Sequence, residues 1–505
     1  MNYFVSENIF AFNSGTEHSQ AKRVRLFNEK QPNSAVYVTR NYNRFLDRDR
    51  QGLDLTASDV LNMYDFFQGT TNVERKEQSL RLLDQIPLDE YHIIGHGANY
   101  STLNHAGREI ARINVMPATI GLVNEILYYD RAGNTLSREN YDWRGFKSSI
   151  DFFNPDGTLA VQQFLNQAGA PVIEIVHMNV KGKRYPTMWK LLNFRGVNLR
   201  FQSENELFLY FLNILANDNQ GSTFVSDRRS VDLIVAEIIG AKAKFAYLHD
   251  IHTPDVSKPQ KGALYDSYKV ALIEKVQNFD GILVPTQGQR TDLTVRFPKA
   301  TVRVAPDTYV NDATLAAAPV GLEQRVKNRL AFVGRLSPEK RPEDAIKVLA
   351  EVVKQVPDAT LEFIGYAANT EILPNLKKQA EDAGLQDKVI FNEYGNYARV
   401  GEVLDNAQVL LQVSLGEGFG MNLVEGFAHG VPAISYDINY GARDLVTEGV
   451  DGYVVPSASA NKAAERIVEL LQNDEQWNAF STAAYARTQS FSGDAMYANW
   501  QTALK

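Results

Sequence analysis

Two acidic residues eight positions apart, Glu417 and Glu425, flank a glycine-rich turn in GEGFGMNLVEGFAHGVPAISYD, residues 416–437. A buried-type strand, VLLQVS, leads into the turn, and a short helix leaves it. In open α/β sheets ligands sit beyond the carboxyl ends of the strands, where a helix N-terminus offers unpaired amides and a positive dipole end to a phosphate. Gly418 and Gly420 let the backbone come close to such a group. An ionised glutamate accepts strong hydrogen bonds from the vicinal hydroxyls of a ribose or hexose. On spacing alone, ordinary surface acids are an equal alternative. A second segment, GRLSPEKRPE at 334–343, follows the strand LAFV and carries Arg335 and Lys340 five residues apart. Two fixed cations in a water-poor cleft can stabilise the charge on a departing diphosphate without a metal; they can also be a surface pair.

Near the start, AFNSGTEHSQAKR follows the opening strand and supplies Gly15 at a strand-to-helix turn, with Thr16, Glu17 and His18 opening the helix. Helix capping and complementation of the dipole account for Glu17 as well as ligand contact does. After the strand KFAYL comes HDIHTPD, which puts His249 and His252 at a strand's carboxyl end. His-x-x-His would suit a metal, but no third ligand is evident in the sequence.

Such residues need parallel sheets to hold them. From about residue 328, LAFVG, TLEFIG, KVIFNE, VLLQVS and PAISYD alternate with amphipathic stretches such as PEDAIKVLAEVVKQV, the mark of βα units. Residues 201–320 read similarly, through STFVS, KFAYLH, GILVPT and TVRVAP, and PNSAVYVTR looks like another parallel strand. Between about 70 and 200 the pattern changes. YYDRAGNTLSREN and FFNPDGTLAVQQF look like a repeat of aromatic strand, Asp/Asn/Gly turn and second strand, which signals hairpins in an antiparallel insertion. From about 474 the chain is helical in pattern and aromatic.

The 505 residues imply two large domains, or two plus an insertion. Without cysteine there is no disulfide framework, thiolate metal site or cysteine nucleophile. The start MNYFVSENIFAFNSG lacks a basic n-region, and no stretch approaches the roughly 20 apolar residues of a membrane span, so the expected location is the cytosol. A net charge of −8 argues against a broad nucleic-acid footprint. Two basic runs stand out, Lys22–Arg23–Arg25 and Lys181–Lys183–Arg184–Lys190 around Trp189; both read most simply as solvated faces.

GRLxxxK, the strand before EGFGMNLVE, the carboxylate pair and the following GVPAISYD strand occur together in one order. In these features residues 328–480 resemble the nucleotide-sugar half of the retaining, family 4 glycosyltransferases of the GT-B fold. The resemblance implies two doubly wound Rossmann-like domains facing a cleft, with a mostly antiparallel β insertion in the N-terminal domain. The expected boundaries are 1–70 and 201–320 for the acceptor-side domain and 71–200 for the insertion. The donor domain would span 321–480, and 481–505 a helix packing back towards the N-terminal domain.

It also implies roles. Arg335 and Lys340, after Gly334, would meet the donor diphosphate, Glu417 the donor sugar and Glu425 the ribose. The backbone through Gly418, Phe419, Gly420, Met421, Asn422 and Leu423 would lie near phosphate and sugar. His249 would contact the sugar or transition state, the alternative being a structural histidine, and Gly15 would face donor and acceptor. Thr16, Glu17, His18 and His252 are the acceptor-side candidates. GYAANTE keeps Gly365 but lacks the family's second glycine, and EYGNYARV keeps Gly395 near the place of the nucleotide base.

More narrowly, SGxEH, the insertion and YGARD resemble bacterial poly(glycerol-phosphate) α-glucosyltransferases and their relatives. Those modify wall teichoic acid with glucose or N-acetylglucosamine, or glycosylate Ser/Thr of serine-rich adhesins before accessory secretion. UDP-glucose or UDP-N-acetylglucosamine is the implied donor, with no metal or other cofactor. A homo-oligomer or a complex with a related subunit, and association with the inner face of the membrane, are implied in the same way. The rival reading is a non-catalytic GT-B partner or chaperone subunit that binds the acceptor. A glycosidase or phosphorylase is a second rival, without a lysine-bound cofactor signature to support it.

Overall fold

The computed structural model describes residues 1–76, 79, 83, 86, 87, 89–393 and 395–505. Parts of the expected insertion (77, 78, 80–82, 84, 85 and 88) and Tyr394 of EYGNYARV lie outside the described residues. Contacts group the chain into two compact units that cut across the boundaries expected from sequence. One comprises 1–13, 33–224 and 234–242; the other comprises 14–32, 225–233 and 243–505.

In the first unit β1 (Asn2–Ser6), β2 (Ala35–Thr39) and β3 (Val60–Asn62) are parallel neighbours. Phe4, Val5, Tyr37 and Val38 of these strands are fully buried. The rest is dominated by a ten-stranded antiparallel meander. Its strands are β4 (His92–His96), β5 (Tyr100–His105), β6 (Arg108–Val115), β7 (Val123–Tyr129), β8 (Thr135–Tyr141), β9 (Lys147–Phe153), β10 (Leu159–Leu165), β11 (Pro171–Val180), β12 (Lys183–Phe194) and β13 (Val197–Phe201). Four successive hairpins here share one turn at a 12-residue period: Asp130–Gly133, Asp142–Gly145, Asn154–Gly157 and Asn166–Gly169. In each, the glycine amide donates to the carbonyl of the Asp or Asn, and the glycine sits at φ between +76° and +94°. That left-handed backbone favours glycine. Buried Arg144, held inside the meander by Asp142 (2.7 Å), ties it to the helix Met63–Gln68 through Asp65 (2.8 Å) and to the carbonyl of Thr70 (2.6 Å).

β14 (Thr223–Ser226) carries the chain from one unit to the other. In the second unit β15 (Ala243–Tyr247), β16 (Gly281–Val284) and β17 (Val302–Val304) are parallel, and the long helix Gly15–Lys30 belongs to the same unit. A six-stranded sheet follows, built from β18 (Arg329–Val333), β19 (Thr360–Ile364), β20 (Val389–Asn392), β21 (Val409–Gln412), β22 (Ala433–Tyr436) and β23 (Gly452–Val455). Its order is β20-β19-β18-β21-β22-β23, all parallel.

Alternate residues feed two cores. Leu330, Phe332, Leu361, Phe363, Val409 and Leu411 pack on one face, and Ala331, Ile364, Leu410 and Ala433 on the other, so the sheet is covered on both sides. The strand order reverses between β18 and β21, and the residues after those two strands are the segments singled out above. The C-terminal region is helical as its pattern suggested. The helix Asp474–Arg487 runs through the expected boundary at 480/481 and is pinned by Trp477, whose indole donates to the carbonyl of Gln408 at 2.7 Å. The last helix, Gly493–Ala503, is held by Trp500 donating to the carbonyl of Pro306 at 2.9 Å.

Candidate active site

At the reversal point two strand ends deliver the site's charged groups. β18 runs into Gly334 and β19 into Gly365, and a side chain on Gly365 would place its Cβ 2.0 Å from the carbonyl oxygen of Gly334. Only glycine permits that approach, so Gly365 serves the packing of the two strand ends. Beyond Gly334, Arg335 is exposed and paired with Glu339, while Lys340 turns inward. Lys340 Nζ lies 2.6 Å from both carboxylate oxygens of Glu417. Ser414 Oγ also donates to Glu417, at 2.7 Å, and the amide of Leu415 donates to the carbonyl of Glu339, so the loops after β18 and β21 are stitched together.

After Glu417 the chain passes Gly418, whose Cβ, if present, would fall 1.7 Å from the carbonyl oxygen of His249. Gly420 caps the helix Met421–Ala428 at φ +98°. Phe419 and Leu423 point into the core, and the Leu423 amide donates to the carbonyl of Gly420 at 2.9 Å, so what this turn can offer a ligand is backbone ahead of Leu423. Asn422 is held from beneath, since Gln412 Nε2 donates to its side chain at 2.9 Å and Ser435 donates to Gln412 at 2.8 Å. Met421 comes close to Gly15, at 3.7 Å from the position of a Cβ there.

One turn into that helix, Glu425 meets Lys22 at 3.8 Å. Lys22 also donates to Thr308 at 2.8 Å and stands 4.7 Å above the ring of Tyr397. His18, one helical turn before Lys22, contacts the Tyr397 hydroxyl through Nδ1 at 2.9 Å. Burial raises the pKa of Glu425 and lowers that of Lys22, with the partner charge acting against each shift. The basic run at 22–25 is therefore no solvated face: Lys22 and Arg23 are buried. Gly395, next to this cluster, would clash with the side chain of Arg399 if it carried a Cβ.

Gly15 opens the long helix and Thr16 stands half-buried in its first turn. Glu17 is buried in a capping box, accepting from the Ser14 amide at 2.8 Å and hydroxyl at 2.6 Å and pairing with Arg228. Burial opposes its ionisation, but Arg228 and Ser14 more than compensate and hold its pKa low. Capping thus occupies Glu17.

His249 sits between two carboxylates. Nδ1 is 2.8 Å from Asp307 and Nε2 is 2.8 Å from Asp227, which Arg23 also meets at 2.5 Å. Both ring nitrogens face acceptors, so the ring is satisfied only as imidazolium. Burial pulls its pKa down, yet Asp307 and Asp227 outweigh it and the pKa is raised. His252, by contrast, is fully buried and bonds the carbonyl of Pro259 through Nε2 at 2.9 Å, which makes it part of the loop's packing. The two histidines thus serve different partners, and among the described residues no group of three potential ligands is assembled for a metal.

Sequence reasoning missed Asp227, Asp307, Tyr397 and Lys22 as members of this constellation. Asp227 and Asp307 come shortly after strands, Lys22 lies on the helix face that also carries His18, and Tyr397 opens the helix Tyr397–Asn406. Asp250, beside His249, has its pKa raised to about 6, by burial first and then by the charge of Glu417, with Lys340 opposing.

Residues 319–487 match the model of the family described as glycosyl transferases group 1. The chain is 24% identical to a poly(glycerol-phosphate) α-glucosyltransferase of Bacillus subtilis (strain 168), over 99% of this chain and 74% of that one. The relatives it matches over two thirds or more of its length are glycosyltransferases. Among solved structures it is similar to a mutant of S. aureus TarM in complex with fondaparinux, α-GlcNAc-glycerol and UDP. The TM-score is 0.81 at 20% identity, covering 100% of this chain and 99% of that one. It is similar also to the pneumococcal O-GlcNAc transferase GtfA in complex with UDP and GlcNAc, at a TM-score of 0.82 and 18% identity, covering 100% and 98%. The fold is GT-B, with parallel sheets and a large antiparallel sheet, as the resemblance implied.

Proposed function

We propose that the protein is a metal-independent, retaining hexosyltransferase of family 4. It would move glucose or N-acetylglucosamine from a UDP-sugar onto a polymer: wall teichoic acid poly(glycerol-phosphate), or Ser/Thr of a serine-rich adhesin. The observation that carries this reading is the Lys340–Glu417 pair, held beyond the carboxyl ends of the two central strands and beside the glycine-rich turn at 418–422. Lys340 and Arg335 would bind the diphosphate, Glu417 the sugar and Glu425 the ribose, with Gly15, Gly334, Gly365 and Gly395 shaping the loops around them.

A donor sugar bound there would need Lys340 and Arg335 to release their carboxylates, so that fixed positive charge meets the charge growing on the leaving diphosphate. The acceptor hydroxyl would attack from the face the diphosphate leaves, and the departing phosphate oxygen would take its proton. His249 as an imidazolium has no lone pair with which to act as base, which supports that assignment; its charge is its contribution. Retention is supported by the α-linkage in the name of the Bacillus relative, because UDP-hexose donors are themselves α-linked. The chain would work in the cytosol at the inner face of the membrane, alone as an oligomer or with a related subunit.

The test is release of UDP from UDP-glucose and UDP-N-acetylglucosamine, in chelator, with and without teichoic acid or a serine-rich polypeptide. Acceptor-stimulated release that Lys340→Ala and Glu417→Ala abolish supports the reading. Nucleotide binding without turnover for every pairing would replace it with the acceptor-binding partner subunit.

A further inference from the structure

We infer that the tip of the β11–β12 hairpin, residues 178–186, is a docking surface for an anionic lipid bilayer. β11 and β12 are 10 and 12 residues long. The partners of β11 in β10 end at Val176, and those of β12 in β13 begin at Trp189. From His177 to Met188 the two strands therefore pair only with each other, as a ribbon projecting beyond the ten-stranded sheet. Residues 178–186 are all exposed. The ribbon closes in a two-residue turn with Lys181 at φ +52° and Gly182 at φ +81°, the tight turn that suits a twisted hairpin.

Register decides which side chains share a face. Met178 pairs with Tyr185 and Val180 with Lys183, so these four lie on one side of the ribbon, while Asn179 and Arg184 lie on the other. Met178, Val180 and Tyr185 are 53%, 43% and 48% exposed. Lys181, Lys183 and Arg184 surround them, and none of the three has an ion-pair partner among the described residues. Lys190 of the same basic run pairs instead with Glu174, and Trp189 is buried.

Cations alone would serve to keep the ribbon's open edges from pairing with another strand. They do not explain three apolar side chains offered to water on a ribbon tip that is exposed on both faces among the described residues. A polyanion would use the cations and leave the apolar face wet. A bilayer with anionic headgroups uses both, since Tyr and aliphatic side chains enter the interface while Lys and Arg meet phosphate. In a chain of net charge −8, such a local patch also orients the molecule towards that surface.

The experiment is flotation of the full chain with vesicles of phosphatidylcholine containing phosphatidylglycerol, and with phosphatidylcholine alone. Binding to the anionic vesicles only is expected. Each cation near such a surface is worth about fivefold, so Lys181→Glu/Lys183→Glu/Arg184→Glu should weaken binding by more than about tenfold. Met178→Ser/Val180→Ser/Tyr185→Ser should weaken it as well. Because the chain has no cysteine, Val180→Cys takes a single environment-sensitive fluorophore, whose emission should shift to the blue on anionic vesicles. Absence of flotation would overturn the inference, as would undiminished binding by the serine variant, which marks a polyanion site. A label that stays solvent-like on floated protein, or concentration-dependent self-association through the tip, would overturn it too.

Discussion

The pairing of Lys340 with Glu417 sets the expectations at the scale of single residues. Lys340→Ala removes a preorganised cation of the kind whose loss costs about 10²–10³ in kcat, and steady-state turnover of the UDP-sugar should fall by that much. Glu17→Gln should act differently, because Glu17 is spent on the capping box and Arg228: melting temperature falls while KM for donor changes little. His249 gives a pH dependence with a definite sign. Its folded pKa is raised above the ordinary value of about 6.5. The clamp's stabilisation is therefore fully present below that value and is lost as pH rises through the folded pKa. The groups facing the ring are Asp227, Asp307 and, through Asp227, Arg23, with Tyr247 beside it. Melting temperature should decline as pH rises from about 6.5 through the folded pKa, and Asp307→Asn should bring that decline to lower pH. A profile identical in wild type and variant would mean that the clamp does not titrate as the geometry requires.

Elements succeed or fail here by how closely backbones approach. Gly418→Ala would drive a Cβ to within 1.7 Å of the His249 carbonyl, where backbone meets backbone and neither can swing aside. UDP release should drop at least as far as in Lys340→Ala, with a clear fall in melting temperature. Gly449→Ala is the contrast. Its φ is +72° but no atom lies within 4 Å of the added carbon, so it should cost about 1 kcal/mol and leave turnover intact. Equal losses in both would show that glycine's freedom, not crowding against His249, is what matters at 418.

The parallel strands were legible because buried strands read as short apolar runs between amphipathic helices, and the turn at 416–423 because glycine and acid spacing mark it. The hairpins were legible in part. The two Asp/Asn-x-x-Gly turns noticed in sequence belong to four on a 12-residue period, and the two overlooked lie at 142–145 and 166–169. What sequence could not supply was company across long separations. Asp227 and Asp307 reach His249 over 22 and 58 residues, and Tyr397 reaches His18 over 379. Each is an unremarkable acid or aromatic in its own neighbourhood, and Lys22 and Arg23 looked like surface charge for the same reason.

At the scale of the whole molecule, every residue assigned to the donor falls in one compact unit, although those residues run from Gly15 to Glu425. The unit made of 14–32, 225–233 and 243–505 should therefore respond to nucleotide by itself. A ligand at 100 times its Kd stabilises the state it binds by about 2.7 kcal/mol. Hydrogen exchange followed by mass spectrometry resolves where that stabilisation lands. UDP should slow exchange in peptides from 14–32, 329–345 and 409–428, while peptides from the meander, 92–201, keep their rates. Protection that appears first in the meander would mean that the nucleotide does not use Lys340, Glu417 and Glu425. Protection spread evenly over both units would mean that they open as one cooperative body, so that the donor's binding energy is shared by the meander and its projecting ribbon. Only the outcome confined to the second unit leaves the ribbon's own partner to be found independently of the donor, since the ribbon's residues then report on vesicles and not on UDP.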